Sequence, residues 1–470
     1  MLAMRRWAVR NAGLLERLYA ILRPALRAAH PIVRTIGVQR VHRPLAALEG
    51  AVKGFLFDCR MCGRCALSGS GMACPMNCPK QVRNGPCGGV RPDGTCELRA
   101  DLPCVWVEGW NGSLKMSTRG LPAILTPPVE HTERGRSSWL RVIEGEPAAP
   151  RAQPGAPVAT ASPLQRLLER GTFVVTAELA PPDSADPAAL RRRAQSLRST
   201  VDALNVTDAA GAYCHLSSLA ACGVLRQMGC EPILQLTCRD RNRIALQGDI
   251  LGAAALGIGN LLCLTGDGVA HGDHPGAKPV FDLDAVSLLE TASTLAAGRY
   301  LSGRTLEAAP RLFLGAADNP FAPPHAARPA RLARKAAAGA RFVQTQYCFD
   351  LALFARYMQA VRAAGLHERC HILVGVGPLV SAHAAQWLRR RVPGVHIPDA
   401  VIDRLSRAPD QREEGVRICV ETVQQLREIP GVAGIHVMAH RHEDLVHDIV
   451  ARSGVLRGRV PLCAAEAAHA

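Results

Sequence analysis

Residues 231–267, EPILQLTCRDRNRIALQGDILGAAALGIGNLLCLTGD, contain two short apolar runs, 231–238 and 260–267, separated by a stretch that favours a helix. Similar runs recur at 173–179, 203–208, 311–318, 342–349, 371–380 and 434–440, and helix-forming intervals such as Pro187–Thr200 and Phe354–Ala364 lie between them. Nearly continuous apolar runs are typical of parallel strands buried on both faces. Eight strands alternating with helices predict an α/β fold, a (β/α)8 TIM barrel.

Composition limits the class of protein. The chain has 470 residues, of which 48% are hydrophobic and 20% charged, so it can bury a core. Its apolar runs are too short to span a bilayer, and we expect no membrane-spanning segment. The net charge is +16, but Lys occurs at five positions, so Arg supplies the other 51 of the 56 basic residues. With only 4% aromatic residues, this bias argues against a nucleic-acid partner.

The chain divides into four predicted segments: a basic helical and cysteine-rich domain at 1–126, a Pro/Ala/Gly-rich linker at 127–165, the barrel at 166–456 and a C-terminal tail at 457–470. Leucines 14, 15, 18 and 22 recur at helical spacing, with Pro24 and Pro31 as expected breaks. The N-terminus lacks the apolar stretch of an export signal, which predicts a cytoplasmic protein.

Eight of the 17 cysteines lie between residues 59 and 104, and we predict that they bind metal: Cys59, Cys62, Cys65, Cys74, Cys78, Cys87, Cys96 and Cys104. The first three are separated by two-residue gaps, a spacing that suits a [4Fe–4S] cluster, with Cys74 or Cys78 as the fourth ligand. Two zinc sites of four thiolates each are the alternative. Buried thiols without metal are a third reading, which so short a segment disfavours.

Polar side chains occur at or just after the ends of the predicted strands, where TIM barrels carry their chemistry. They are Glu178, Thr207, Asp208, Gln235, Asp267, Asp318, Gln346 and Arg441. Two of the carboxylates, Glu178 and Asp267, suit proton transfer and charge control. The amide of Gln346 can pair with a polar ring edge, and Arg441 can hold a carboxylate.

The barrel segments TAELAPP, NVTD, LTCRDRNRIALQGDILGAAALGIGNLLCLTGD, GDHPGAKPVFDLD and AGARFVQTQYCFD resemble methylenetetrahydrofolate reductase, a flavin-dependent TIM barrel. The resemblance covers roughly residues 172–452. The cysteine segment resembles a second module, the small cysteine-rich partner subunit of acetogen-type reductases, fused upstream of the barrel.

The resemblance implies a ping-pong hydride transfer from NAD(P)H through bound flavin to 5,10-methylenetetrahydrofolate, giving 5-methyltetrahydrofolate for one-carbon metabolism and methionine biosynthesis. By the family's motifs, Glu178 would be the general acid that helps to open the folate ring. Asp267 would face flavin and pterin, Gln346 would hold the pterin, and Arg441 would bind the benzoyl-glutamate tail.

The resemblance also implies the flavin site, for FAD or alternatively FMN. The matched positions are Thr207, Ala210, Gln235, Thr265, Gly266, Asp267, Phe281, Arg331, Arg334 and Lys335. The last three form a basic trio that suits a pyrophosphate. Without the resemblance, the same trio would be assigned to a solvated helix face.

Two other functions stay open at this stage. The chain could be a flavin and iron–sulfur electron-transfer module, or a flavin-free methyltransferase that acts on methyltetrahydrofolate. The expected partners are a folate substrate, a redox partner protein and further copies of the chain in a homo-oligomer.

Overall fold

The computed structural model describes residues 2–121, 125–145 and 162–465. The chain folds as two compact units, one formed by Met1–Cys87 with Asp93–Ala152 and the other by Gly88–Pro92 with Gln153–Ala470. In the described residues, no helix has both the length and the apolar character needed to cross a bilayer.

The first unit is helical. Its helices are α1 (Leu2–Arg10), α2 (Ala12–Ala28), α3 (His30–Ile36), α4 (Val38–Phe57), α5 (Val105–Ser113) and α6 (Ser138–Ile143). Apolar side chains from α1, α2, α4 and the cysteine-rich loops pack into one small core, which includes Ala8, Phe57, Leu67, Met72 and Met116. The cysteine-rich stretch between α4 and α5 is built from turns and two short 3-10 helices, Leu67–Gly69 and Pro75–Asn77.

The predicted helix break at Pro24 is wrong, because Pro24 lies inside α2. A proline in a helix leaves the carbonyl four residues earlier without its partner. Here that residue is Ala20, which is exposed, so water can satisfy its carbonyl. The break at Pro31 is confirmed, since Pro31 stands in the first turn of α3.

The first part of the predicted linker is folded. The Ser137 hydroxyl accepts a hydrogen bond from the amide of Leu140 and caps α6, whose Leu140 and Ile143 pack against Val33. Residues 138–143, SWLRVI, carry enough apolar surface to pack against the helices of the first unit. The linker prediction is based on the Pro, Ala and Gly residues that surround them. Residues 146–161 of the predicted linker lie outside the described residues.

The second unit is a closed barrel of eight parallel strands in the order β1 to β8, which confirms the predicted fold. The strands are β1 (Val174–Leu179), β2 (Ala203–Val206), β3 (Pro232–Thr237), β4 (Asn260–Leu264), β5 (Phe313–Asp318), β6 (Phe342–Tyr347), β7 (His371–Val376) and β8 (Val432–Val437). Each coincides with a predicted apolar run. β1 and β5 end with their runs, and the other six strands end one to four residues earlier, because the last residues of those runs belong to the loops.

Helices cover the barrel and close one end of it. They are α7 (Pro163–Glu169), α8 (Pro187–Arg198), α9 (Ser218–Gln227), α10 (Arg243–Ala255), α11 (Ala285–Ala296), α12 (Arg328–Ala337), α13 (Leu351–Ala363), α14 (Leu366–Arg369), α15 (Ala382–Arg391), α16 (Asp399–Arg407), α17 (Gln411–Arg427), α18 (Asp444–Ser453) and α19 (Leu462–Ala465). Leu164 and Leu168 of α7 pack against Val174, Phe313 and Phe342, which lie at or near the starts of their strands. The amino-terminal end of the barrel is therefore filled, and the carboxyl-terminal end is left for a site.

The predicted C-terminal tail folds back onto the barrel. Arg459 donates two hydrogen bonds of 2.6 Å to the buried carboxylate of Asp202, and it also bonds the Phe173 carbonyl. Cys463 is fully buried and its thiol lies 3.4 Å from the Asp202 carbonyl. These contacts attach residues 459–463 to the starts of β1 and β2.

Candidate functional site

Glu178 lies at the carboxyl end of β1, where its side chain is partly exposed. Burial raises the pKa of this carboxyl to about 7, and the nearby charge of Glu443 in the loop after β8 adds to the shift. A carboxyl with a pKa near neutrality is protonated in a large fraction of molecules at working pH, which is the requirement for a general acid.

Tyr347, at the end of β6, is a neighbour of Glu178 that sequence reasoning did not single out. Burial raises the pKa of its phenol, and the charge of Glu178 is the next contribution. The hydroxyl donates a 3.0 Å hydrogen bond to the Met438 carbonyl, which links the ends of β6 and β8 beside the acid. The signal in the sequence that could have identified it is its place directly after Gln346, in the Thr-Gln-Tyr sequence at 345–347.

The remaining predicted chemical residues stand around the same rim. Asp267 follows β4, is exposed, and accepts a 3.0 Å hydrogen bond from the amide of Gly211. Gln346 is the second-last residue of β6, and its side-chain amide oxygen accepts from the backbone amide of Tyr347 at 3.0 Å. Arg441 is exposed in the loop after β8, with a left-handed φ of 61°.

A buried polar layer lies one step below this rim, inside the barrel. The Thr176 hydroxyl is 3.0 Å from Nδ1 of His436 and accepts a 3.3 Å hydrogen bond from Gln344, whose amide oxygen accepts from Asn205. Burial lowers the pKa of His436 to about 3, so its imidazole is neutral. Because side chains alternate along a strand, Glu178 lies on the same face of β1 as Thr176 and stands above this layer.

Part of the predicted flavin site has the chemistry of a ligand cradle. Thr207 is buried, and its hydroxyl has no hydrogen-bond partner among the described residues. Gly266 has a φ of 91°, and a Cβ there would lie 3.0 Å from Cβ of Arg239, so a side chain would fill this space. Gln235, in β3, and Phe281, in the loop between β4 and α11, are also buried. Ala210 begins a 3-10 turn after β2. The Thr265 hydroxyl instead accepts from the amide of Ala285 at 3.1 Å.

The basic trio on α12 is buried, which contradicts its assignment to a solvated helix face. Burial lowers the pKa of Arg334 to about 10, and the neighbouring charge of Arg331 lowers it further. Two guanidinium groups buried close together are stabilised by a bound anion such as a phosphate. These residues therefore fit a phosphorylated cofactor.

Lys335, the third member of the trio, pairs with a buried carboxylate inside the barrel unit. Its ammonium donates to the carboxylate of Asp318 at 2.5 Å and to the Ala317 carbonyl at 2.6 Å. The Tyr357 hydroxyl donates to the other Asp318 oxygen at 2.6 Å. The structure thus places Lys335 and Asp318 in a buried pair, and direct contact between Lys335 and a cofactor stays a prediction.

Asp208 organises the β2 and β3 loops and was noticed only as a strand-end residue. One carboxylate oxygen accepts from the amide and hydroxyl of Thr237 at 2.8 and 2.9 Å and pairs with Arg241, while the other accepts from Ser218 at 3.2 Å. These contacts satisfy the carboxylate internally, so Asp208 supports the rim of the site.

Four of the eight clustered cysteines line one cavity in the first unit. They are Cys59, Cys62, Cys65 and Cys74, and the cavity opens to solvent. Burial raises the pKa of the Cys74 thiol to about 12, and the nearby Cys59, Cys65 and Cys62 add to the shift. Of the two candidates for the fourth ligand, Cys74 and Cys78, it is Cys74 that lies with the first three cysteines.

The other four cysteines form a second group. Burial raises the pKa of Cys78 to about 12, with Cys104 and Cys96 among its charged neighbours, and Cys87 has Cys104 and Cys78 among its own. The Cys87 thiol also donates to Glu97 at 3.2 Å, and Glu97 pairs with Lys80. Across the described residues, no three His, Cys, Asp or Glu side chains stand close enough together to hold a single metal ion.

The first group lines one common space, an arrangement that a cluster of several metal ions requires. Four thiolates around a common space are the ligand set of a [4Fe–4S] cluster, and thiolates are the ligands that iron–sulfur centres use. The residues present therefore fit this group.

The fold and the rim together define a class, a TIM-barrel protein with a candidate active site of acid, amide and guanidinium groups. A family model described as methylenetetrahydrofolate reductase matches residues 163–454, which is more than half of the chain. The chain belongs to the methylenetetrahydrofolate reductase family. A second family model, described as methylene-tetrahydrofolate reductase C terminal, matches residues 38–132, which here precede the barrel.

Individual relatives are distant. A probable methylenetetrahydrofolate reductase (NADPH) from Caenorhabditis elegans is 23% identical over 249 residues, covering 51% of this chain and 34% of the relative. The match thus spans about a third of that relative's length. Among solved structures, a Clostridium thermocellum protein that binds two copies of 5-methyl-5,6,7,8-tetrahydrofolic acid is 12% identical, with a TM-score of 0.47 over 62% of this chain and 97% of that one. EDTA monooxygenase from Chelativorans is 11% identical, with a TM-score of 0.39 over 62% and 97% of the two chains.

Proposed function

We propose that this protein reduces 5,10-methylenetetrahydrofolate to 5-methyltetrahydrofolate, with NAD(P)H as the reductant and FAD as the bound cofactor. Membership of the family supports the reaction class. The observation that carries the proposal is Glu178, a carboxyl with a pKa of about 7 at the open end of the barrel. When bound, the flavin would accept a hydride from NAD(P)H and pass it to the folate.

In this proposal the protein's own residues bind the folate and move one proton. Glu178 holds a proton and delivers it to N10 of the folate, so that the five-membered ring opens to a 5-iminium cation. Asp267 supplies negative charge close to that cation. Gln346 bonds the pterin edge through its amide, and the exposed guanidinium of Arg441 pairs with the carboxylates of the tail.

The cofactor would be held chiefly by the residues that fit it. The Thr207 hydroxyl is buried without a partner among the described residues and would bond the flavin, and Gly266 would leave room for it. Arg331 and Arg334 would face its phosphates, which relieves the repulsion between them. Cys59, Cys62, Cys65 and Cys74 would hold a [4Fe–4S] cluster in the first unit, which would transfer single electrons.

The decisive experiment separates the two half-reactions in Glu178→Gln. Stopped-flow absorbance should show the flavin reduced by NAD(P)H at close to the wild-type rate, because no proton from Glu178 is needed. Reoxidation by 5,10-methylenetetrahydrofolate should be lost, because the glutamine amide cannot donate the proton. Loss of the first half-reaction would contradict the role given to Glu178. A wild-type protein that binds no flavin would instead favour the methyltransferase.

A further inference from the structure

The cavity lined by Cys59, Cys62, Cys65 and Cys74 has charged groups in its wall as well as thiols. Glu49 and Lys53 lie one turn apart on α4, and both line the cavity. They are only 2% and 6% exposed. Removing two charges from water costs several kcal/mol per ion, so other contacts must stabilise this buried pair.

Hydrogen bonds fix both charges in place. Lys53 donates to Glu49 at 2.6 Å and to the Ser138 hydroxyl at 2.8 Å. Glu49 also accepts from the hydroxyls of Ser137 and Ser138, each at 2.5 Å, and from the Trp139 amide at 3.1 Å. The ammonium lies 5.3 Å from the centre of the Trp139 ring. Lys53 is therefore held rigidly at the cavity wall by the start of α6.

A second buried cation lies against the same cavity. Arg83 is 4% exposed, and its Nη1 is 3.6 Å from the sulfur of Cys62. Its Nη2 donates to the Arg64 carbonyl at 3.0 Å, which orients the guanidinium. Two buried positive charges thus border four potential thiolates in a region where charges interact more strongly than in water. A third cation, Arg136, also lines the cavity, and it pairs with Glu144 at 2.8 Å.

We propose that Lys53 and Arg83 set the reduction potential of a cluster held by these four cysteines, and that Glu49 acts as a positioning residue for Lys53. This inference rests on the iron–sulfur centre in the proposed function. Reduction adds one electron to the cluster, makes its net charge more negative by one unit, and breaks no bond. A nearby positive charge stabilises the reduced state, and a nearby negative charge destabilises it.

The sign of the effect distinguishes this role from a packing role. Lys53→Met removes a positive charge and should move the potential to a more negative value. Glu49→Gln removes a negative charge and should move it to a more positive value. A pair that only supports folding would shift the potential in the same direction in both variants, or would not shift it.

The test uses the full-length chain, reconstituted anaerobically with iron and sulfide and titrated with dithionite, with visible absorbance and electron paramagnetic resonance as readouts. Lys53→Arg should keep the wild-type potential because it keeps the charge. Lys115→Met is the matched control: it removes the same charge from an exposed position in the same unit, and its potential should equal that of wild type.

Each outcome decides one question. Opposite shifts in Lys53→Met and Glu49→Gln, with wild-type iron content, support the inference. Unchanged or parallel shifts overturn it while leaving the iron–sulfur centre intact. Loss of iron from both variants assigns the pair to folding and also overturns it. A wild-type chain that takes up no iron refutes the proposed centre itself, and the inference fails with it.

Discussion

At the scale of single residues, the pKa of Glu178 leads to a pH prediction. Its carboxyl must be protonated to act as an acid, and burial, helped by Glu443, raises the pKa to about 7. The rate of folate reduction in single turnover should therefore be highest below pH 7 and fall as the pH rises through that value. Measuring flavin reoxidation against pH checks this.

Glu443→Gln provides the control for that profile. Removing the neighbouring negative charge should lower the pKa of Glu178, so the fall in rate should move to lower pH. A profile that is identical in Glu443→Gln and wild type would show that the two carboxyls do not interact.

The buried pair of Lys335 and Asp318 predicts a large effect on stability. Burial alone would raise the pKa of Asp318, but Lys335 and Tyr357 lower it overall. Asp318→Asn leaves the Lys335 charge buried without compensation and should reduce the free energy of unfolding by about 3–5 kcal/mol. Because the Asp318 pKa lies below its unfolded value, this stabilisation is present at neutral pH and is lost as the pH falls through the folded pKa.

Denaturant unfolding at pH 7 measures this difference. Asp399→Asn is the matched control, because Asp399 pairs with Arg389 at 2.6 Å but its side chain is 85% exposed. Its loss should change the free energy of unfolding by about 0–1 kcal/mol. Equal effects of the two substitutions would refute a structural role for Asp318.

At the scale of elements, the turn after β4 depends on a glycine. Gly266 has a φ of 91°, and a Cβ there would lie 3.0 Å from Cβ of Arg239 and 3.1 Å from Cβ of Thr237. Gly266→Ala should cost about 1–3 kcal/mol of backbone strain and weaken FAD binding. Flavin fluorescence titration and thermal unfolding measure the two effects.

Gly276→Ala is the control for the same loop. A Cβ at Gly276 meets no atom within 4 Å, so FAD affinity and stability should match wild type. If Gly266→Ala and Gly276→Ala behaved alike, the space at Gly266 would have no role in the cofactor site.

At the scale of the whole molecule, the two units have separate cores, so damage to the proposed metal centre should leave the barrel intact. In the full-length chain, Cys62→Ser and Cys74→Ser should lower the iron content and the broad visible absorption of the cluster. Their flavin content should stay at the wild-type level. Metal analysis and absorbance of the same anaerobic sample measure both.

The matched control is Cys78→Ser. Cys78 belongs to the second group of cysteines, so this variant should retain the cluster held by the first group. Loss of that cluster in Cys78→Ser but not in Cys74→Ser would contradict the grouping and restore Cys78 as the fourth ligand.

The barrel and most of the residues at its rim could be predicted from local patterns in the sequence. Apolar runs such as 231–238 and 260–267 predict buried parallel strands because such strands must be apolar on both faces. The same runs place Glu178, Asp267 and Gln346 near the carboxyl ends of their strands. A local pattern is enough to predict this barrel, since the fold repeats one short strand–helix unit.

Contacts between residues far apart in the sequence could not be predicted and are known only from the folded chain. The tertiary structure grouped Cys74 with Cys59, Cys62 and Cys65, paired Lys335 with Asp318, and brought Ser137 and Ser138 to Glu49 across 88 and 89 residues of chain. Spacing along the sequence could not predict these contacts, because they depend on how loops and helices pack. The raised pKa of Glu178 has the same origin, since burial and a charge from another strand's loop exist only in the folded chain.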